Sequence, residues 1–101
     1  MIEDPLTEQV IGCAFTVLNS LGPGFLEKVY ENALAHECRK AGLLIENRLL
    51  VELKAVRALD STHLAQTLNY LKATGHPACL LLNFGNPRLE IKRIINTNKP
   101  I

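Results

Sequence analysis

Glu52 and Lys54 stand two positions apart in the apolar run VELKAV, residues 51–56. Successive side chains of a strand point to opposite faces. The acid and the lysine therefore share one face, and Val51, Leu53 and Ala55 share the other. A carboxylate is a hard oxygen ligand for Mg2+. A lysine beside it can stabilise charge developing on a phosphate or help activate a metal-bound water. The pair thus has the makings of metal-dependent phosphodiester chemistry. The same spacing on an exposed strand is also an ordinary polar edge. Gln66 and Tyr70 lie four apart and so share a helix face, with His63 near that stripe. They could shape a site or form a plain polar flank with Tyr70 half-buried. Glu27 opens another helical stretch, where the helix dipole favours an acid whatever its task.

The elements that must position these residues follow from periodicity. Leu6, Val10, Cys13, Ala14, Val17, Leu18 and Leu21 recur at helical spacing and predict a helix over 5–20, begun by Asp4 and Pro5 and ended by GPG at 22–24. A second helix is predicted over 25–41, with Leu26, Val29, Tyr30, Ala33, Leu34, Cys38 and Ala41 as its apolar stripe and Gly42 as a left-handed cap. The run LLIENRLLVELKAV at 43–56 reads as a hairpin turning at Asn47. A third helix over 61–74 is capped by Asp60 or Ser61, turns Leu64, Leu68 and Leu71 inward, and ends at Gly75. PACLLLNF at 77–84 reads as a buried strand, GNP at 85–87 as a turn, RLEIKRII at 88–95 as a last strand, and NTNKPI as a loose tail. The predicted order is α-α-β-β-α-β-β. Residues 49–84 form a β-α-β unit with parallel strands and a right-handed crossover. The expected fold class is α/β of mixed α+β character, a small mixed sheet flanked by helices.

With 101 residues the chain has room for one domain, residues 1–101, with one core. Its net charge of +1 gives no global basic signature, so DNA or RNA would need a local patch. Lys54, Lys72, Arg88, Lys92 and Arg93 are the basic residues available for one, although Lys92 and Arg93 point to opposite faces of a strand. Cys13, Cys38 and Cys79 form no CxxC pair, which speaks against a zinc site and for buried thiols in a reducing compartment. No membrane-length apolar run and no signal-peptide pattern are present, so the expected location is cytoplasmic.

GFLEKVY at 24–30 resembles the motif of the GxxExxY proteins, with Gly24, Glu27 and Tyr30 in place. LGPGFLEKVYENALAHECRKAG, VELKAV, HLAQTLNYLKATG and LLLNFGNPRLEIKRII resemble successive blocks of that family and cover most of the chain in order. The family is classed with the PD-(D/E)XK nuclease-like superfamily. The resemblance implies a nuclease-like fold in which Glu52 and Lys54 are the (D/E)xK pair and Glu27 is the helical acid that supports the metal. Gln66 and Tyr70 resemble the QxxxY element that helps shape the site in RecB-like nucleases. The implied catalytic set is Glu52, Lys54, Gln66 and Tyr70. Glu27 and Glu52 are the implied ligands of Mg2+ or Mn2+.

The family pattern also carries an aspartate on the strand before (D/E)xK. This chain has only Asp4 and Asp60, and alignment puts Gly42 at that position. The chain resembles a member shortened between about residues 40 and 43. In a hairpin looped at 46–48, position 42 would lie opposite Glu52, where an aspartate could share its ion. Glu46, at the turn, is a poor substitute. The expected activity is therefore a nuclease-like one with weak or absent metal binding and impaired or absent turnover. The alternative is a non-catalytic module that binds nucleic acid or self-associates. A shortened sheet leaves a strand edge or apolar face open, so a homo-oligomer is expected.

Overall fold

The computed structural model describes residues 4–45 and 48–96. Helix α1 spans Pro5–Leu21, α2 spans Glu27–Lys40, strand β1 spans Leu50–Lys54, α3 spans Ser61–Thr74, β2 spans Ala78–Asn83 and β3 spans Glu90–Ile95. The strands form one mixed sheet in the order β1-β2-β3. β1 and β2 run parallel, as the β-α-β reading expects, and β3 returns antiparallel to β2.

Local signals start and stop the helices where expected. Asp4 caps α1, its carboxylate accepting from Leu6 N–H at 3.1 Å and from the Thr7 hydroxyl at 2.9 Å. Asp60 caps α3 in a reciprocal box: its carboxylate accepts from His63 N–H, and its own N–H donates to His63 Nδ1, both at 3.1 Å. His63 thus belongs to the cap. Helix α2 begins at Glu27, two residues later than predicted, because Phe25 N–H is held by the Tyr30 hydroxyl and Leu26 is extended. Its end is a Schellman motif. Gly42, at φ 72°, donates to Arg39 C=O at 3.0 Å, and Leu43 N–H donates to Cys38 C=O at 3.1 Å.

The hairpin is corrected. Residues 43–45 pair with no strand, so the described order is α-α-β-α-β-β. Leu43 N–H is already used by the helix cap. Ile45 C=O accepts from Arg48 N–H at 3.1 Å and Leu49 N–H at 3.2 Å, so the chain turns before a ladder can form. Leu43 and Ile45 still pack on the core while Leu44 is exposed. Position 42 is therefore not opposite Glu52. The Asn47 turn and the Glu46 substitute lie outside the described residues. So does the tail beyond Asn96; Asn96 itself is buried, its N–H donating to Pro77 C=O at 2.9 Å.

Alternation along the strands divides the interior in two. Val51, Leu53, Leu80, Leu82 and Ile91 pack against α1 and α2, with Val10, Ala14, Tyr30 and Leu34 at the centre. Cys79, Leu81 and Asn83 point the other way, toward α3, and all of β2 is buried. Helix α3 buries Thr67 and Leu71, an i, i+4 pair, while Leu64 and Leu68 are only half-buried rather than fully inward. No described helix is long and apolar enough to cross a membrane.

Candidate functional site

The parallel register sets Glu52 beside Leu81 and Lys54 beside Asn83. Since Val51 and Leu53 face α1 and α2, Glu52 and Lys54 face the α3 side, as the alternation predicts. Lys54 Nζ donates to Gln66 Oε1 at 3.3 Å, so the strand lysine and the helix glutamine come together. Tyr70, one turn further along α3, is 49% exposed.

Glu52 is half-buried, and this loss of solvent pushes its carboxyl above the ordinary value; Lys54 pulls it back down, while Glu27 and then Glu31 push it up further. The structure therefore brings Glu27 within electrostatic reach of Glu52. Glu31 was not singled out from sequence, although its place four residues after Glu27 puts it on the same helix face. It is bound at 2.9 Å to Lys28 Nζ.

Glu27 owes its place to the residues around it. The Tyr30 ring is fully buried and stacks on Phe84 at a centroid distance of 4.9 Å. Its hydroxyl donates to Gly22 C=O at 2.6 Å and accepts from Phe25 N–H at 3.2 Å. Gly24, at φ 108°, supplies a backbone turn that a side chain would oppose. Tyrosine and glycine together fix the α1–α2 turn and so set the first residue of α2.

Asn83 is the second residue that sequence reasoning missed. It is fully buried next to Lys54 in the sheet, and its amide is saturated. Oδ1 accepts from Val56 N–H and Gly85 N–H, both at 3.0 Å, while Nδ2 donates to Val56 C=O at 2.9 Å and Glu90 Oε1 at 2.6 Å. This network ties the end of β1 to the turn after β2. Gly85 lies so close to Val56 that a Cβ there would collide with its carbonyl oxygen.

Among the described residues no three His, Cys, Asp or Glu side chains are grouped to hold a metal ion. Both aspartates cap helices, and Asp4 also lies 3.9 Å from Arg93 on β3. What the arrangement offers is a partly desolvated carboxylate, a lysine oriented by a glutamine, and two further acids on α2.

A family model described as the PD-(D/E)XK nuclease superfamily matches the chain in two stretches, residues 4–44 and 38–94. No curated protein and no solved structure matches it.

Proposed function

Because the chain belongs to the PD-(D/E)XK nuclease superfamily, we propose that it is a nuclease-derived domain whose phosphodiester turnover is impaired or lost for want of the strand aspartate. The observation that carries this reading is the Schellman cap at Gly42. The residue aligned with the missing ligand closes a helix, and the chain beyond it does not pair with β1. The two matched stretches overlap at residues 38–44, around the place where the chain reads as shortened, which supports an internal deletion. Glu52, Lys54, Gln66 and Tyr70 are then the remnant of a catalytic set, and Glu27 the remnant of its metal-supporting acid. Mg2+ or Mn2+ is held weakly if at all, since Glu27, which is exposed, and Glu52 are the two carboxylates left to hold it.

The test is cleavage of single- and double-stranded DNA and RNA with Mg2+ or Mn2+, comparing the chain with Lys54→Ala. The expected result is no cleavage above that control. Metal-dependent cleavage that Lys54→Ala abolishes would overturn the reading.

Nucleic-acid binding without turnover is the weaker form of the non-catalytic alternative. Lys54 and Lys92 lie on the sheet face toward α3, but Arg93 points to the other face near Asp4, so these three do not converge on one patch. The outer edge of β1, which no described strand covers, favours self-association instead.

A further inference from the structure

We propose that the outer edge of β1 pairs antiparallel with the same edge of a second copy of this chain, in the register that centres the twofold axis on Leu53. This does not depend on whether turnover is lost.

Phe84 N–H donates to Lys54 C=O at 2.9 Å, so the Lys54 backbone faces β2. In a parallel ladder alternate residues of one strand bond the same neighbour. Leu50 and Glu52 therefore also face β2. Val51 and Leu53 direct their N–H and C=O groups outward, where no described strand meets them. An edge of this kind is a template for another strand.

A twofold interface requires the surface to complement itself, and the charges on β1 select how. An axis on Glu52 sets two Glu52 carboxylates opposite each other. An axis on Lys54 does the same with two ammonium groups. An axis on Val51 places Lys54 against Arg48. Only the axis on Leu53, among these, sets Glu52 opposite Lys54 of the second copy, and it does so twice. Opposite charges directly across a ladder stabilise it and like charges weaken it.

The other face agrees. In the same register Leu53 meets Leu53, and Val51 meets Ala55. They lie beside a groove of about 280 Å3 whose lining includes Leu34, Ala35, Ile45, Val51 and Leu53, with Glu31 as its charged member. In this register the apolar side chains of the second copy lie on the groove's side of the sheet and the charged pairs on the α3 side. The (D/E)xK pair of the superfamily thus becomes a self-recognition element.

Sedimentation velocity over roughly 1–100 μM tests this with charge swaps. The wild-type chain is expected to dimerise. Glu52→Lys and Lys54→Glu should each weaken the dimer at least about tenfold. An equimolar mixture of the two single variants should restore it, as should the double swap Glu52→Lys/Lys54→Glu. All arms remove the native pair, so restoration cannot come from a nuclease site. A second variant, Val51→Pro, takes away an outward N–H without removing a ladder bond within the chain. It should be monomeric with an unchanged far-ultraviolet circular dichroism spectrum. A monomeric wild type at every concentration, single swaps that dimerise unchanged, a monomeric double swap, or a Val51→Pro dimer would each overturn the proposal.

Discussion

On the proposed reading Gly42 takes the place of the superfamily's strand aspartate, and its backbone shows why an aspartate there would not complete the site. At φ 72° it occupies the left-handed region, and its N–H closes the end of α2 on Arg39 C=O. Position 42 belongs to a helix cap, not to a strand beside β1. A side chain at this φ costs about 1 kcal/mol. Gly42→Asp is therefore expected to lower stability by about that much, read from urea denaturation, and to add no Mn2+ binding by calorimetry. Mn2+ binding that appears with Gly42→Asp and disappears with Glu52→Gln would mean that position 42 does face β1. On the proposed reading, restoring the ligand takes an inserted strand, not a substitution.

At the scale of elements, what the sequence made legible was local. Asp4 before Pro5, Asp60 before the third helix, and Gly42 and Gly75 after helices each act within a turn of themselves, and each stands where expected. Spacing assigned Lys54 and Gln66 each to one face of its own element, but only the family resemblance put them in one site; their contact is set by how α3 packs on the sheet. The hairpin was not, because an apolar in-out-in pattern at 43–45 is the same whether the segment joins a ladder or follows a cap. The use of Leu43 N–H by Cys38 C=O decides between them, and no periodicity reports it. Asn83 was missed because its partners at Val56 lie 27 positions away. Tyr30, in the stretch GFLEKVY, shows how a residue can position a candidate site without touching it. Tyr30→Phe keeps the stack on Phe84 but removes the bonds to Gly22 C=O and Phe25 N–H. It is expected to cost about 1–3 kcal/mol and to release the turn that precedes Glu27. Hydrogen exchange at Phe25 N–H checks the second effect, since that amide should lose protection before the core of α2 does. An unchanged midpoint and unchanged protection would mean that the hydroxyl contributes nothing to the turn.

For the molecule as a whole, one sheet separates two packed interiors, and a cysteine reports on each. Cys38 lies in the α1–α2 interior and Cys79 lies on the opposite side of β2, toward α3. Burial pushes both thiols up to about 12 from an ordinary value of 9.0, helped at Cys38 by neighbouring Cys13 and at Cys79 by the Glu52 charge. In the unfolded chain both ionise near the ordinary value. Between pH 9 and 12 the unfolded state therefore holds fewer protons than the native one, and stability must fall as pH rises. Where the unfolded thiols are fully ionised and the native ones are not, each contributes a slope of about 1.4 kcal/mol per pH unit. Below the ordinary thiol value neither contributes a slope. Urea denaturation of the reduced protein at a series of alkaline pH values is expected to show this decline. A Cys38→Ala/Cys79→Ala variant, less stable at neutral pH through lost packing, should show a shallower decline over the same range. Each single variant should remove about half of the difference, because the two thiols occupy separate interiors and titrate independently. Parallel curves for wild type and double variant would mean that both thiols ionise in the native state as readily as in the unfolded one, and that water reaches both sides of the sheet.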